Sequence, residues 1–527
     1  MKLVNKSDSL DKEIVKEISQ ESGIVPAVVK SLLNKNYSKE EVLSLTKDKD
    51  FLDPMKIPSI EKVCQRLLDA KNKNEKVFIF GDYDVDGTMA TTIFYRFLNK
   101  IGVKTEHYIP ERSDGYGLSE TAITEIYTQE GRVVITVDTG ITAFKPIDLA
   151  NDLGLDVIVT DHHNIPDEGC PDALACINPK IEGMPSEIYN LSGAGVALYV
   201  CRAINQVFFE KGEISTKVDM TPYFCLAAIS SIADVVPLRG ENREIVKKGL
   251  RNIKKTGIMG LDALVGHCNF WKQPTAMNIA FKISPILNAA SRMKQAEKTL
   301  NVLLTDDYRE AKAKSAALLT LNEKRKELTE KYKPQVVEEA SKQVNNKVVV
   351  LAGKYPLGII GILAAKVMEG TGKPTIIISV DSEGKGKASC RSVKAFNIKT
   401  AIDKTVDHHL GGGGHDVAAG FSINESQIDE FIKAVNEYAK TQDFEVEEEV
   451  FYDEKIQAQE LADSNLKKSL GILEPVGKDN ESPRFLIEDL EIKSIRVITG
   501  GHLMMDTEFG RAMLLSLIHI SEPTRRS

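Results

Sequence analysis

Short apolar strands alternate with amphipathic helices between residues 75 and 180. The strand candidates are KVFIF, VKTEHYI, RVVITVD, LDVIVTD and ALACIN, and helical spacing appears at residues 88–100 and in SETAITEIYTQEG, where Ser119 is the expected N-cap. A series of strand–helix–strand units favours a mainly parallel, doubly wound sheet. Functional sites in such sheets form beyond the carboxyl ends of the strands. The sequence therefore predicts an α/β fold and draws attention to the residues that follow each strand.

The first strand leads directly into three aspartates. GDYDVDG places Asp82, Asp84 and Asp86 at alternate positions. In an extended chain these three carboxylates would point to the same side, and such crowding is costly unless a cation neutralises it. Carboxylate oxygens suit hard divalent ions such as Mg²⁺ or Mn²⁺. We therefore expect this segment to supply half of a metal site.

Three further segments are candidates for the other half of the site. VVITVDTG supplies Asp138, DVIVTDHH supplies Asp161, His162 and His163, and the apolar helix FCLAAISSIADVVPL supplies Asp234. A single aspartate in an apolar helix can simply cap it. Because the other segments supply further carboxylates, we favour the interpretation that Asp234 is a metal ligand.

The remaining N-terminal and central sequence is helical in pattern. Residues 1–70 form short helices, with Ser38 and Glu41 as a capping box, and precede the strand–helix series, which we assign to residues 71–295. Residues 296–345 form a long charged helix that Pro334 is expected to kink or end. Such a helix between two α/β patterns is typical of an interdomain connector.

The C-terminal half contains a second, smaller α/β pattern over residues 346–445. It includes the glycine run GGGGHDVAAG, whose backbone N–H groups have no side-chain obstruction and can bind a phosphate. Residues 446–514 contain short apolar stretches broken by turn residues, as expected for a small β-barrel.

The composition is that of a water-soluble globular protein, with 42% hydrophobic and 27% charged residues. No apolar run approaches the roughly 18 residues of a membrane span, and the charged N-terminus lacks a signal-peptide core, so we expect a cytoplasmic protein. The net charge of −8 does not by itself indicate nucleic-acid binding, although bound metal ions would reverse the local sign. Seven scattered cysteines, never spaced as CxxC, are expected to be reduced core thiols.

The motifs GDYDVDG, VDTG, TDHH and SIADVVPL, in this order, resemble the four metal-binding motifs of the DHH phosphoesterase superfamily. RSDGYGLS, NAASRM, the long helix, GGGGHDVAAG and LEPVG extend the resemblance, over about residues 35–510, to the RecJ-like exonucleases, which degrade single-stranded DNA in the 5′→3′ direction. The resemblance implies an α/β fold with a parallel-sheet DHH catalytic domain, a long connector helix, a smaller α/β DHH-associated domain and a partial OB-like β-barrel at the C-terminus.

The resemblance also implies two-ion hydrolysis that releases 5′-mononucleotides in DNA repair or recombination. Two Mn²⁺ or Mg²⁺ ions would be held by Asp82, Asp84, Asp86, Asp138, His162 and Asp234. Asp138 would bridge the two ions, and His163 would face the scissile phosphate and help to neutralise the charge that develops there.

The resemblance further implies that the second α/β domain binds the DNA backbone or its 5′ end. The expected substrate-binding residues are Arg292, Arg391, Ser392, Gly413, Gly414 and His415. The expected partners of a monomeric chain that does not enter a membrane are single-stranded DNA and a single-strand-binding protein or helicase.

Three segments depart from the family pattern or from the fold. Ile286 and Ser291 stand where RecJ-like chains tend to carry arginine and glycine, so one phosphate contact is expected to be missing. The second Asp-His-His, residues 407–409, ends an amphipathic helix and is expected to be a solvated helix end. LSLIHISEPTRRS, residues 515–527, resembles a translated sequencing adapter joined to a truncated reading frame, so we expect an incomplete C-terminal domain.

Two other functions are compatible with the same motifs. One is a DHH phosphodiesterase that acts on short oligonucleotides or nucleotide phosphates, but such relatives are generally shorter and lack a barrel. The other is a DHH fold kept as a non-catalytic binding scaffold. The presence of every expected acid and imidazole argues against the scaffold.

Overall fold

The computed structural model describes residues 2–7, 10–47, 49–111, 117–442, 444, 449–498 and 502–514. The tail prediction for residues 515–527, and residues 112–116 of RSDGYGLS, lie outside the described residues. The chain divides into two compact units. The first, which we call the parallel-sheet unit, comprises Lys49–Glu327 and Glu474–Glu481; the second, the mixed-sheet unit, comprises Met1–Asp48, Leu328–Leu473 and Ser482–Ser527.

The parallel-sheet unit is built on five parallel strands, as the strand–helix alternation predicts. Their order across the sheet is Thr105–Tyr108, Lys76–Gly81, Gly131–Val137, Asp156–Thr160 and Ala175–Ile177. Alternate residues of the central strands pack on opposite faces, with Val77 and Ile79 in one apolar cluster and Phe78 and Phe80 in another. Helices therefore cover both faces, which explains why these strands are apolar throughout.

The helices of this unit precede, connect and follow the strands. Their bounds are Ile60–Asn72, Val85–Lys100, Glu120–Thr128, Phe144–Asp152, Gly193–Glu210, Thr221–Ala233, Gly240–Asn252, Met259–His267, Ala276–Asn278, Ser284–Leu287, Ala289–Arg292 and Glu297–Leu304, with a π-helical turn at Ile279–Ile283 and 3₁₀ turns at Pro54–Lys56 and Ser186–Ile188. The Ser119 hydroxyl accepts a hydrogen bond from the backbone N–H of Ala122, which confirms the predicted N-cap.

The long helix spans Tyr308–Ser341 and joins the two units. It continues through Pro334, so the prolyl residue does not end it. The expected single segment from residue 296 is interrupted, because Thr305 is extended and separates the long helix from Glu297–Leu304.

The mixed-sheet unit contains a second five-stranded sheet. Its order is Gly412–His415, Ala418–Asn424, Lys385–Arg391, Thr375–Val380 and Val349–Gly353, with the last two strands parallel and the other neighbours antiparallel. The accompanying helices are Ile360–Thr371, Ile398–Asp403 and Ile428–Lys440, with 3₁₀ turns at Leu357–Ile359, Val406–His408 and Glu425–Gln427.

The same unit contains the N-terminal helices and the C-terminal strands. The helices are Lys12–Ser22, Pro26–Asn34, Lys39–Ser44 and Ser464–Ile472, with a 3₁₀ turn at Ala458–Ala462. Lys2–Asn5 pairs with Glu449–Tyr452, Glu454–Lys455 pairs with Phe485–Leu486, and Ile492–Ile498, His502–Thr507 and Gly510–Leu514 form an antiparallel sheet. The predicted capping box of Ser38 and Glu41 is present.

The cysteines and the helix lengths bear on two of the predictions made from composition. All seven cysteines are free; four are buried, but Cys170 is exposed and is therefore not a core thiol. Among the described residues, no helix combines the length and apolar character needed to cross a membrane.

Candidate metal centre and phosphate-binding face

The carboxyl ends of the three central strands bring acidic side chains together in the parallel-sheet unit. Asp82, Asp138 and Asp161 each directly follow one of these strands, and all three are buried. Because the strands are parallel, their carboxyl ends meet at one edge of the sheet. This edge carries the carboxylates that the strand-end motifs predict.

The three aspartates of GDYDVDG do not lie on one extended strand. The helix begins at Val85, earlier than expected, and Asp84 is its N-cap: Asp84 Oδ1 accepts the backbone N–H groups of Asp86 (2.8 Å) and Gly87 (3.2 Å). Asp86 therefore belongs to the first helical turn. A capping carboxylate satisfies N–H groups that would otherwise have no partner, and this local gain overrides the extended geometry that we predicted from alternation.

Asp86 is anchored by residues more than a hundred positions away. Its two carboxylate oxygens accept the backbone N–H groups of Gly193 and Ala194, both at 2.7 Å, and one also accepts the Ser230 hydroxyl at 2.5 Å. Gly193 and Ala194 open the helix Gly193–Glu210, whose positive end favours a negative charge. The small residues of SGAG thus hold a buried carboxylate in a fixed orientation.

Asp138 adopts a left-handed backbone conformation, with φ of 59°. This conformation is uncommon for residues other than glycine and often marks a functional site. A Cβ atom on Gly193 would lie 2.7 Å from Cβ of Asp138, so glycine is required there. The strand end and the helix N-terminus approach closely enough to fix Asp138 between them.

Three overlapping groups of side chains present ligand atoms within 4.8 Å of one another. They are Asp82, Asp84 and Asp138; Asp86, His162 and Asp234; and Asp138, His162 and His163. His162 Nε2 lies 3.1 Å from Asp138 Oδ1, 3.5 Å from Asp86 Oδ2 and 3.7 Å from Asp234 Oδ2. The structure therefore brings together every residue that we predicted as a ligand, with Asp138 common to two groups.

The protein alone does not easily keep these groups charged. Burial and the charges of Asp86 and Asp84 raise the pKa of Asp138 well above its usual range, and the same causes raise the pKa of Asp234 to about 8. Burial lowers the pKa of His162 to about 4, which leaves the neutral imidazole that ligates metals. Oxygen-rich donors with a neutral imidazole could hold two hard divalent cations, which would relieve this repulsion.

His163 is held by Asp161, a residue that the strand-end pattern singled out but that we did not assign as a metal ligand. Asp161 Oδ1 accepts the backbone N–H groups of both histidines and lies 2.7 Å from His163 Nδ1. Burial opposes the charged imidazole, but the hydrogen bond and charge of Asp161 outweigh it and raise the pKa of His163. The signal was present in the sequence, because a carboxylate directly before two histidines can orient them.

The second group of predicted residues lies on the mixed sheet. Burial alternates along Lys385–Arg391 and Ala418–Asn424, so one face is packed and the other is open. Arg391 pairs across the sheet with Ala418, which in turn pairs with His415, so these side chains share one face. We call this the open face; it also carries Lys385, Lys387, Ser389 and Gly413.

The structure places Ser392, which we predicted as a substrate contact, in the packing of a turn. Ser392 is buried. Its hydroxyl donates a hydrogen bond to the carbonyl oxygen of Phe396 (2.6 Å), and its backbone N–H donates one to the carbonyl oxygen of Val417. The serine on the open face is Ser389, whose Oγ accepts a hydrogen bond of 3.4 Å from Arg391 Nη1.

Gly414 has a backbone φ of 148°. A Cβ atom at this position would lie 2.4 Å from Cα of Ala419, so the position requires glycine.

The remaining sequence candidates lie as follows. Arg292 ends the short helix Ala289–Arg292 in the parallel-sheet unit and is half-buried. Ile286 and Ser291, the two departures from the family pattern, are both buried.

The second Asp-His-His is only partly the solvated helix end that we expected. Asp407 is exposed, but His409 is buried against Phe421 and Phe431. Its Nε2 lies 3.0 Å from the carbonyl of Ile402, and its Nδ1 accepts the backbone N–H of Gly411 at 3.0 Å. His409 is therefore a hydrogen-bonded core residue, and the expectation of a solvated side chain was wrong for it.

The parallel sheet with acids and imidazoles at its strand ends defines a DHH-type protein. Residues 76–228 match the DHH family N-terminal domain, residues 345–441 match the DHHA1 domain and residues 452–518 match the RecJ OB domain. The single-stranded-DNA-specific exonuclease RecJ of Haemophilus influenzae is 31% identical over 410 residues, which cover 74% of this chain and 70% of that protein. The chain belongs to the RecJ family.

Solved structures agree with this assignment. RecJ of Thermus thermophilus in complex with Mn²⁺ matches with a TM-score of 0.84 at 28% identity, covering 99% of this chain and 74% of that one. An exonuclease RecJ bound to manganese matches with a TM-score of 0.64 at 32% identity, covering 75% of this chain and 97% of that one. The match confirms the predicted α/β fold class.

The chain is shorter than several of its relatives. It is 31% identical to RecJ of Bacillus subtilis over 506 residues, which cover 93% of this chain but 62% of that protein. It likewise spans 66% of the length of RecJ from Thermus thermophilus.

Proposed function

We propose that this chain is a metal-dependent exonuclease that hydrolyses single-stranded DNA in the 5′→3′ direction and releases 5′-mononucleotides. The observation that carries the proposal is the set of three overlapping donor groups, which are linked because Asp138 belongs to two of them and His162 to two of them. Buried carboxylates so close together are unfavourable without cations, and two divalent ions held by such groups would supply the chemistry of phosphoryl transfer.

Each side chain then has a role. Asp82, Asp84 and Asp138 would hold one Mn²⁺ or Mg²⁺, and Asp86, His162 and Asp234 the other, with Asp138 between them. When bound, the ions would activate water and neutralise the attacking and leaving oxygens.

His163 would stabilise the negative charge that develops on the scissile phosphate. Asp161 fixes its Nδ1 and supports the protonated ring through the 2.7 Å contact. A positive charge held in place before the reaction starts costs no reorganisation when charge develops.

The open face of the mixed sheet would bind the substrate's phosphates. Arg391 supplies a guanidinium, and Ser389 a hydroxyl, beside the start of the helix Ile360–Thr371: a Cβ on Gly361 would lie 2.9 Å from Ser389 Oγ and 3.1 Å from Arg391 Nη2. A helix N-terminus, an arginine and a hydroxyl together favour a phosphate. His415 and the glycines Gly413 and Gly414, on the exposed edge strand, would let a backbone approach closely.

The substrate and cellular setting are extrapolated from the family. Relatives that carry the name single-stranded-DNA-specific exonuclease support single-stranded DNA as the substrate. We further propose that the chain works as a cytoplasmic monomer in DNA repair or recombination, with a single-strand-binding protein or helicase as a partner. The domain limits that we propose remain 71–295 for the catalytic domain, 346–445 for the substrate-binding domain and 446–514 for the OB-like domain.

A time course with strands labelled at either end tests the proposal. With Mn²⁺ or Mg²⁺, we expect mononucleotides to be released first from the 5′ label, and Asp84→Ala to abolish release because the donor group loses a carboxylate. Release from the 3′ label first would contradict the polarity. Equal activity in the Asp84→Ala variant would contradict the metal mechanism, and faster cleavage of a dinucleotide than of a long strand would favour the short-oligonucleotide alternative.

A further inference from the structure

The segment from residue 251 to residue 282 is strongly basic in a chain that is acidic overall. It contains five lysines and arginines (Arg251, Lys254, Lys255, Lys272 and Lys282) against one aspartate, Asp262, whereas the whole chain carries a net charge of −8. Asp262 is already engaged, because its Oδ1 accepts the backbone N–H and the hydroxyl of Thr256. Five cationic residues minus one aspartate leave the segment with a net charge of +4 when histidine is neutral, and charge of this sign favours anionic partners.

The same segment holds the single tryptophan of the chain, and this residue lies on the surface. Trp271 is 98% exposed. Together with Phe270, Lys254 and Asp262 it lines an open depression of about 760 Å³ in the parallel-sheet unit. None of the predicted metal ligands lines this depression. A fully exposed indole is rare unless a partner covers it, because tryptophan gains so much from burial.

A further cation contacts an aromatic ring that lines the depression, and the residue before it in the sequence is an exposed phenylalanine. Lys282 Nζ sits 5.3 Å from the centre of the Phe270 ring, and the adjacent Phe281 is 76% exposed. Phe281 and Lys282 belong to the π-helical turn Ile279–Ile283. This conformation is rare in proteins overall, and where it occurs it is frequently at a functional site. We call Lys254, Phe270, Trp271, Lys272, Phe281 and Lys282 the Trp271 patch.

We propose that the Trp271 patch is a binding site for single-stranded DNA, separate from the metal centre. Exposed aromatic faces interleaved with lysines are the arrangement by which proteins bind single strands: unpaired bases stack on the rings while the cations neutralise the phosphates. Duplex DNA offers phosphates but no free base faces. The patch would therefore hold a part of the strand that is not being cut.

The geometry favours a nucleic acid over an acidic peptide. A peptide anchor is normally seated in an enclosed apolar pocket, whereas the Trp271 ring projects from the surface and leaves a face open. The proposal rests on the proposed function only in that the chain encounters single-stranded DNA.

The single tryptophan allows a direct test, because indole emission reports on Trp271 alone. The full chain is titrated with an oligothymidylate of about 16 nucleotides, the upper range of a single-strand site, in EDTA so that no hydrolysis occurs. We expect saturable quenching that weakens with salt, with a logarithmic slope of about −0.7 for each phosphate contact. The double variant Lys254→Glu/Lys282→Glu should weaken binding at least about tenfold, as expected when phosphate contacts become repulsive.

A matched control is Lys145→Glu/Lys298→Glu, which makes the same charge change at two exposed lysines elsewhere in the parallel-sheet unit. We expect it to stay within about twofold of the parent, in line with a surface substitution away from the site. Unchanged emission at saturating DNA, equal losses in the two double variants, or quenching by an acidic peptide but not by DNA would overturn the proposal. Nuclease activity measured in parallel would show whether the metal-centre function stands independently of that result.

Discussion

The two five-stranded sheets offer different surfaces to a substrate. The parallel sheet is covered by helices on both faces, so its polar chemistry is confined to the carboxyl ends of its strands. The mixed sheet has antiparallel strands at one side and leaves part of one face open, with Arg391 and Lys387 on it. One sheet thus concentrates negative charge at an edge, and the other spreads positive charge over a face.

This difference decides what must be known to locate each site. At a strand end, the motif follows the apolar run in the sequence, and parallel connectivity brings the ends together. On a sheet face, only every second residue contributes, so a shift of one position changes which side chains are presented. A strand-end site can therefore be predicted from the order of motifs in the sequence. A sheet-face site can be predicted only when the residues at which each strand begins and ends are known.

The largest difference in activity between the two units is expected at the two Asp-His-His segments, residues 161–163 and 407–409. We expect His162→Ala to lower kcat/KM by at least about 10³-fold, because it removes a proposed ligand of a metal ion that would stabilise the developing charge, whereas His408→Ala should leave kcat/KM within about twofold, as for a substitution outside functional features. Single-turnover degradation of labelled single strands measures both. Similar losses in the two variants would mean that the segments are not distinguished by their place in the fold.

A smaller effect separates the two serines beside Arg391. Ser389→Ala should raise KM for a 5′-phosphorylated strand by about three- to tenfold with little change in kcat, as expected for one lost hydrogen bond to substrate. Ser392→Ala should leave KM unchanged and lower the free energy of unfolding by about 1–2 kcal/mol, because the carbonyl of Phe396 loses its donor. A KM effect from Ser392 instead of Ser389 would contradict the assignment of faces.

The smallest expected effect is a pH dependence of stability in the metal-free chain. The raised pKa values of Asp138 and Asp234 mean that the folded chain keeps protons that the unfolded chain has already released. Their contribution is full below the ordinary carboxyl pKa and is lost as pH rises towards about 8, the pKa of Asp234.

Differential scanning calorimetry checks this sign. The melting temperature in EDTA should fall by a few degrees between about pH 6 and pH 8.5, and Mn²⁺ should raise it more at the higher pH, because binding requires deprotonated ligands. Asp234→Asn should flatten the metal-free profile. A metal-free melting temperature that rises over this interval would contradict the account of the buried carboxylates.

Much of the parallel-sheet unit could be predicted from local patterns. The strands, the Ser119 cap and the clustering of the proposed ligands Asp82, Asp138 and His162 all follow from apolar runs and the residues that come after them. The support of Asp86 could not be predicted, because its donors at Gly193 and Ala194 are remote in sequence and only the fold brings them near.

Other misses have equally specific causes. The early start of the helix at Val85 follows from capping by Asp84, which competes with the extended geometry. His409 was misjudged because its burial depends on Phe421 and Phe431, from a later strand and helix. The face that Ser389 shares with Arg391 could not be predicted, because the face of a residue is fixed by strand pairing and not by proximity to a motif.

The most direct test of the metal centre is an anomalous difference map from crystals of the chain grown with Mn²⁺. The account predicts two peaks roughly 3.5–4 Å apart, the separation of two-metal sites. One peak should contact Asp82 and Asp84, the other Asp86, His162 and Asp234, and both should contact Asp138. A single peak, or two peaks that do not share Asp138, would contradict it.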